Sequence, residues 1–327
     1  MLPKQTTGHF VLSSSPHTHA KTSVSGIMLD VIIALLPALC CSVYFFGWKA
    51  LLLVATCVAT CLVTEALCRL AMKREGTIGD LSAVLTGLLL ALNLPPDLPL
   101  WMAICGSVFA IGVAKQVFGG LGYNPFNPAL AGRAFMLISF TGAMTTWSRS
   151  GWMVSAGQLD ASTTATPLAF IKKGAEGFDW SQATFLKDLF VGNVNGCLGE
   201  VSALALLIGA AYLIVKRVIT WHIPVAFIAT VFFYALVHGG VPPLVHVLSG
   251  GVILGACFMA TDYVTSPITA KGKLIFGFGC GLLTMLIRTA PNGAYPEGVS
   301  FSILIMNAFT PLINRFTQPK VFGYRKK

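Results

Sequence analysis

The run Asp160-Ala161-Ser162-Thr163-Thr164-Ala165-Thr166-Pro167-Leu168 gathers hydroxyl side chains and one carboxylate inside a chain that is otherwise strongly apolar. Proline after Thr166 pushes that threonine out of the helical region into an extended conformation, so its hydroxyl is presented outward. A helix can begin at Pro167, where the missing N–H costs nothing, and continue through Leu168, Ala169, Phe170 and Ile171 to Lys172 and Lys173. Thr166 then caps that helix, and the free N–H groups and positive dipole end beside it favour a phosphate. By spacing alone, the same residues also describe an ordinary helix cap.

A second source of chemistry is the small set of acids near apolar segments: Asp30, Glu65, Asp80, Glu200 and Asp262. An ionisable side chain in a membrane span is expensive and is a functional hypothesis by default. Glu65, Asp80 and Glu200 are therefore candidates for a path taken by sodium ions or protons. Glu65 stands one helical turn from Arg69, where an i,i+4 ion pair is the structural alternative. Asp80 and Glu200 open helices, where carboxylates are favourable for structural reasons. The sequence selects none of the three.

Metal chemistry finds little support. Nine cysteines are present, all but Cys197 in apolar segments, and no Cys-x-x-Cys pair occurs, so zinc or iron–sulfur ligation within this chain is not indicated. Cys57 and Cys61 share a helix face and read as small buried thiols. Cys197 is alone on the polar side, with no evident disulfide partner.

The elements that must position these residues are membrane spans. The 327 residues are 55% hydrophobic and 10% charged, far below the roughly one quarter charged in soluble domains. Apolar segments fall at roughly 29–48, 51–71, 79–94, 98–118, 129–145, 198–215, 219–238, 244–261, 274–289 and 298–313, ten in all, the third and ninth being shorter than the rest. Residues 1–26 are polar, lack the apolar core of a secretory leader, and read as a cytoplasmic tail. With that tail inside and ten crossings, only Lys49, Arg149, Lys172, Lys173, Lys187 and Arg288 fall outside; the other sixteen of the 22 basic residues fall inside. The positive-inside rule thus puts both termini in the cytoplasm and the Thr166 loop outside. The net charge of +10 records this bias rather than nucleic-acid binding.

This count divides the chain into a tail (1–26), a five-helix half (27–145), a polar external stretch (146–197) and a second five-helix half with a basic tail (198–327). Because five is odd, related halves must be inverted. Gly79-Asp80-Leu81-Ser82-Ala83 is echoed by Gly199-Glu200-Val201-Ser202-Ala203, though not at equivalent span numbers. Two turns interrupt the spans. Gly119-Gly120-Leu121-Gly122-Tyr123-Asn124-Pro125-Phe126-Asn127-Pro128 cannot be continuous helix, because of its two Asn-Pro pairs. Met259-Ala260-Thr261-Asp262-Tyr263-Val264-Thr265-Ser266-Pro267 is its counterpart after the eighth segment. Such backbone at membrane depth lines a cavity or is buried in protein; the alternative is a cytoplasmic turn.

The 160–168 run resembles the flavinylation site of the D subunit of the Rnf ion-translocating oxidoreductase, and of the related B subunit of the sodium-pumping NADH:quinone oxidoreductase. In that family, Asp, two residues, then Ser/Thr-Gly-Ala-Thr-Pro-Leu carries FMN through a phosphoester on the last threonine. Matched by position, Asp160 is the leading acid, Thr163 the Ser/Thr, Ala165 the alanine and Thr166 the acceptor, while Thr164 stands where glycine is commoner. The two turn motifs also resemble the family's. The resemblance spans nearly the whole chain and implies inverted halves with a urea-channel-like, all-α fold in the inner (plasma) membrane. It also implies a second, non-covalent riboflavin between the halves, with Asn124, Asn127, Asp262 and Thr265 as candidates for its ring edge. The modest length and short N-terminal tail favour the Rnf branch over the quinone reductase.

Two functions follow. The first is an electron-carrying subunit: FMN on Thr166 takes electrons from a neighbouring flavoprotein subunit while the complex moves Na⁺ or H⁺. Its partners are the other Rnf subunits, a second flavinylated one among them, and a flavin transferase for maturation. No nucleotide fingerprint such as G-x-G-x-x-G at a strand–helix junction occurs, so no complete catalytic site is expected in this chain alone. The second is a passive pore for a small polar solute, which leaves the threonine-rich loop unexplained.

Overall fold

The computed structural model describes residues 23–147, 166–172, 183–192, 194–200, 202–290 and 297–319. Among these, every regular element is helical. Four helices are long and apolar enough to cross a membrane: α1 (Val24–Phe46), α2 (Trp48–Ala71), and two near the end, Ala270–Thr289 and Val299–Thr317. The chain is a multi-pass membrane protein. Apolar side chains such as Leu70, Val215, Val237 and Phe316 are more than three-quarters exposed on its surface, as lipid contact requires.

The remaining apolar segments form shorter helices with physical reasons to stop. α3 (Ser82–Leu92) begins after Leu81, which takes a left-handed conformation, and ends at Asn93 ahead of Pro95-Pro96. α4 runs from Leu100 to Gln116, its second part, Phe109–Gln116, loosened into a π-helix. α5 (Pro128–Ser139) starts at the proline allowed in a first turn and is capped by Asn127, whose side chain accepts from Ala129 N and Leu130 N. It is followed by the single turn α6 (Thr141–Met144).

Beyond the short helices α7 (Pro167–Lys172) and α8 (Ala183–Val191) come α9 (Ala203–Val215) and α10 (His222–His238). The eighth apolar segment is broken: α11 (Pro243–Leu248) ends at Ser249-Gly250-Gly251, and α12 (Val252–Leu254) continues as a π-turn, Gly255–Met259. Gly250 has φ +69°, which glycine adopts without the clash a Cβ would bring. α13 (Ala270–Thr289) and α14 (Val299–Thr317) complete the chain.

The ninth segment is therefore a full-length helix, not a short one: its start lies at Ala270, where Thr269 caps it, ahead of the apolar run that begins at Leu274. Among the ten apolar segments, the third gives the shortest single-piece helix, at 11 residues, and the eighth is broken in two, each of these segments being third in its group of five. The Gly-Asp/Glu-x-Ser-Ala echo is also visible in the backbone. Ile78–Asp80 and Leu198–Glu200 are both 3₁₀ turns ending on the acid, each followed two residues later by the serine that opens a helix region.

Close backbone approach through small residues holds the bundle, as in other membrane helices. Gly277 and Gly281 of α13 lie against α10, where a Cβ would come within 2.8 Å of the Ile223 and Phe227 carbonyls. Polar side chains tie neighbouring helix ends together. Ser25 bonds Gly79 O at 3.0 Å, Tyr212 and Lys216 reach Asp30 at 2.8 and 3.8 Å, and Arg74 reaches Gly119 O at 3.1 Å. Lys49 pairs with Asp97 at 3.0 Å.

Candidate functional site

Thr166 stands immediately before α7, which starts at Pro167 as expected and is described to Lys172; contrary to the expectation of an outward hydroxyl, Thr166 is buried, 9% exposed. Its Oγ1 accepts a hydrogen bond from Ala169 N at 3.3 Å, the geometry of a helix cap. An ester oxygen accepts as well as a hydroxyl does, so phosphoester formation at this atom is compatible with that bond. Asp160, Thr163 and Ala165 lie outside the described residues. Leu168 is buried and seats the turn on the broken eighth segment: a Cβ on Gly250 would lie 2.6 Å from Leu168 Cδ1 and 3.1 Å from Arg288 Nη2.

Arg288 bonds the backbone at that break. Its guanidinium donates to His246 O at 2.6 Å, Ser249 O at 3.1 Å and Glu297 O at 3.1 Å, covering carbonyls that the end of α11 and the break leave open. Across the break lies a network centred on Arg133 of α5, which is 2% exposed. Arg133 donates to Asn93 Oδ1, to a Glu297 carboxylate oxygen and, at 3.5 Å, to Glu200 Oε1; its Nη2 also approaches Cys197 Sγ at 3.4 Å.

Two expectations are corrected here. Arg133 is not a cytoplasmic surface charge but a buried one. Cys197 is not alone on a polar surface; it is fully buried against Arg133. Glu200 does follow a helical turn, but its carboxylate faces this network.

The second buried pair belongs to Glu65. Lys115, from the π-helical part of α4, donates to Glu65 Oε2 at 2.9 Å, Glu65 Oε1 at 3.1 Å and Ser82 Oγ at 2.8 Å. Thr77 and Gln116 add bonds to Glu65 Oε1 at 2.7 and 3.1 Å. The i,i+4 pair with Arg69 does not form. Arg69 turns away to lie over Gly120, where its Nη2 is 2.5 Å from the position of a Cβ. Lys115, counted among the cytoplasmic charges, is 1% exposed because Glu65 draws it inward. Asp80 is partly exposed and is not drawn into either cluster.

The two turn motifs meet. A cavity of about 60 Å³ is lined by Asn124 and Asn127 from one, Asp262 from the other, and Ser82, Thr86 and Lys115 beside them. Thr265 is not on its wall but donates to Asp262 Oδ2 at 3.1 Å. Asn127 also donates to Met259 O at 3.2 Å, joining the start of α5 to the second π-turn. Met259 Sδ in turn lies 3.6 Å from Asn93 Nδ2, so one residue touches both polar regions. The cavity holds a few waters; a three-ring isoalloxazine does not fit inside it.

Sequence reading found one partner of each buried cluster and missed Lys115, Arg133, Cys197, Asn93, Glu297 and Arg288. The available signal was a lone basic residue in an apolar run, as in Gly112-Val113-Ala114-Lys115 and Ala131-Gly132-Arg133-Ala134-Phe135, with no acid three or four positions away.

Comparison with known proteins identifies the family. The model of the NQR2, RnfD, RnfE family matches residues 11–323. The chain is 52% identical over 320 residues to the D subunit of the Na(+)-translocating ferredoxin:NAD(+) oxidoreductase complex of Acetobacterium woodii, covering 97% of this chain and 96% of that one. It is 47% identical over 328 residues to the D subunit of the proton-translocating ferredoxin:NAD(+) oxidoreductase complex of Clostridium ljungdahlii, covering 97% of each. To the D subunit of the ion-translocating oxidoreductase complex of Escherichia coli K12 it is 37% identical over 351 residues, covering 97% and 99%. With a match over nearly its full length, the chain belongs to the NQR2, RnfD, RnfE family.

Proposed function

We propose that this chain is the D-type membrane subunit of an Rnf complex, a ferredoxin:NAD⁺ oxidoreductase that couples electron flow to Na⁺ or H⁺ movement, and that it carries FMN as a phosphoester on Thr166. The observation that carries this reading is Thr166 itself, a capping threonine in a Thr-Pro-Leu sequence, seated through Leu168 on the broken eighth segment. When bound, the flavin supplies the redox chemistry; the protein supplies position and polarity. Asp160, Thr163 and Ala165 complete the recognition sequence for a separate flavin transferase. The remaining Rnf subunits, one of them also flavinylated, are the electron partners.

The architecture we propose is ten crossings in two inverted halves, 27–145 and 198–327, like a urea channel, in the inner membrane. The stretch 146–197 lies outside, and the 1–26 tail and the C-terminus are cytoplasmic. The short third and broken eighth pieces, each third in its group of five, support related halves. Contacts between Ser25 and Gly79, and between Asp30 and Lys216, join residues that this topology puts on one side. A riboflavin edged by Asn124, Asn127, Asp262 and Thr265 needs more space than the cavity between them offers, so no electron step is routed through it.

The test is the mass of the tryptic peptide containing Thr166, from protein made together with its flavin transferase. The expected result is a peptide heavier by the flavin phosphoester, with in-gel flavin fluorescence that Thr166→Ala abolishes. An unmodified peptide from a colourless preparation sinks the electron-carrier reading and favours the solute pore.

A further inference from the structure

Glu65 meets an ammonium with its donors in place, whereas Glu200 and Glu297 meet each other. Oxygens of these two carboxyls and the Cys197 sulfur lie within 4.8 Å of one another. The Glu200 side chain is 6% exposed and the Arg133 side chain 3%. Ionised carboxylates only accept hydrogen bonds, so two of them have no hydrogen to share. With Glu200 enclosed and the Glu297 side chain 16% exposed, repulsion between two ionised carboxylates at such a separation is only weakly screened, and it favours a pair that keeps one proton.

The surrounding charges do not remove that need. Among the described residues, Arg133 is the one cation in contact with either carboxylate, and it contacts both. Arg288 directs its bonds to three backbone carbonyls, two of them at the negative end of α11, whose partial charge it offsets. The other titratable groups facing the cluster are the Cys197 thiol and, beyond Arg288, the His246 imidazole. Arg288 keeps its charge near both carboxyls, but of the two arginines only Arg133 touches them, so the neighbouring carboxyls do not each have a cation of their own.

A second observation concerns unfilled bonding capacity. Arg133 Nε, a donor on a side chain fully enclosed by protein, has no partner, and neither has Glu297 Oε1. An orphaned buried donor and acceptor in one cluster call for a buried water, which would also carry a proton to and from the carboxyls. Space for it is kept beside Glu200 by glycines: a Cβ on Gly251 would lie 3.1 Å from Oε1, and one on Gly196 would lie 3.4 Å from Oε2.

We propose that Glu200 and Glu297 hold one exchangeable proton as a hydrogen-bonded carboxyl–carboxylate pair clamped by Arg133, making them a proton-loading site of this protein. Loading forms a single O–H bond on one carboxylate; release breaks it and returns the proton to water. Nothing is oxidised or reduced. A proton needs only one carboxyl oxygen, whereas a sodium ion among these three residues would lie beside the Arg133 guanidinium that contacts all of them and be repelled by it. The use of this site in translocation rests on the function proposed above; its existence does not.

Infrared difference spectroscopy of the assembled complex in lipid nanodiscs tests it. The expected result is a carbonyl stretch of a protonated carboxyl at neutral pH, shifted in deuterium oxide and unchanged when potassium is replaced by sodium. It is lost in Glu200→Gln and in Glu297→Gln, and kept in Glu65→Gln. A band that survives in both variants belongs to another carboxyl and overturns the proposal. If neither variant assembles, the wild type decides: absence of the band at neutral pH, or its loss near the ordinary carboxyl value of about 4, overturns it. Loss of the band on adding sodium at fixed pH does so too, assigning the site to that ion. Flavin on the Thr166 peptide is measured in the same samples, so a bare peptide with the band intact refutes the electron-carrier reading alone.

Discussion

Glu65–Lys115 and Arg133–Glu200–Glu297 are both buried charge clusters, but they are built on different scales. Every partner in the first, from Glu65 through Thr77 and Ser82 to Lys115 and Gln116, comes from one continuous stretch before α5. In the second, Arg133 and Asn93 precede the polar segment and Cys197, Glu200 and Glu297 follow it, so the bonds span up to 164 residues of chain. The choice of cation matches. An ammonium is a point charge that a compact cage of oxygens satisfies, whereas a planar guanidinium reaches several acceptors in fixed directions. The first cluster settles how three neighbouring helices pack, and the second ties Asn93 and Arg133 to Cys197, Glu200 and Glu297, far along the chain.

The largest effect is therefore expected at Arg133. Arg133→Leu leaves two buried carboxylates without their cation, at a cost of about 3–5 kcal/mol or more. Thermal unfolding in detergent should show it as a variant that fails to accumulate or melts far below wild type. Arg133→Lys should restore only part of the loss, because one ammonium cannot span Asn93, Glu200 and Glu297. Equal stability of the lysine variant would remove the distinction between the clusters. Lys115→Met should also be costly, about 3–5 kcal/mol, since it strands Glu65. Here the double variant Glu65→Met/Lys115→Met should return close to wild type, because apolar residues can replace a self-contained pair. A double variant as unstable as the single one would mean that the pair has partners beyond its own cage.

Gly250→Ala sits between these extremes. Adding a Cβ at φ +69° costs about 1–2 kcal/mol in backbone strain, and it also displaces Leu168. The expected outcome is a modest fall in melting temperature with a clear rise in trypsin cleavage at Lys172, the end of the helix that Leu168 anchors. Unchanged cleavage would show that Leu168 does not hold that turn.

What the sequence made legible follows from the range of the interaction. Helix starts were readable where a local rule governs them: Thr166-Pro167 opens α7 and Asn127-Pro128 opens α5, both through capping within three residues. The irregular turns around Asn124 and Asp262 were readable because proline and glycine forbid helix there. The third segment was visibly short because Pro95-Pro96 ends it, but the ninth was misjudged, since an apolar count misses a helix that begins with Ala270-Lys271-Gly272-Lys273. The charge partners were out of reach. Glu65 has Arg69 at ideal helical spacing and yet bonds Lys115, 50 positions away, because burial makes a shared cage more favourable than an exposed neighbour. The apolar run around Arg133 is a local sign that it is buried, but that it meets Glu200 and Glu297 depends on the packing of α5, which no local pattern in this chain reports.

The smallest effect is expected where geometry is the same and the surroundings are not. Lys49 and Asp97 lie 3.0 Å apart, almost the 2.9 Å of Lys115 and Glu65, yet their side chains are 61% and 43% exposed against 2% and 1%. In water the Coulomb term is screened and both chains lose rotamer freedom on pairing, so such a pair contributes about 0–1 kcal/mol. Lys49→Met should leave the melting temperature nearly unchanged, and what little it costs should vanish at high salt. Lys115→Met should cost the same at low and high salt, because mobile ions do not reach a side chain enclosed by Glu65, Ser82 and Gln116. If the two variants responded alike to salt, water would be reaching the Glu65 cage, and the cluster would belong to an open path through the first half rather than to its packing.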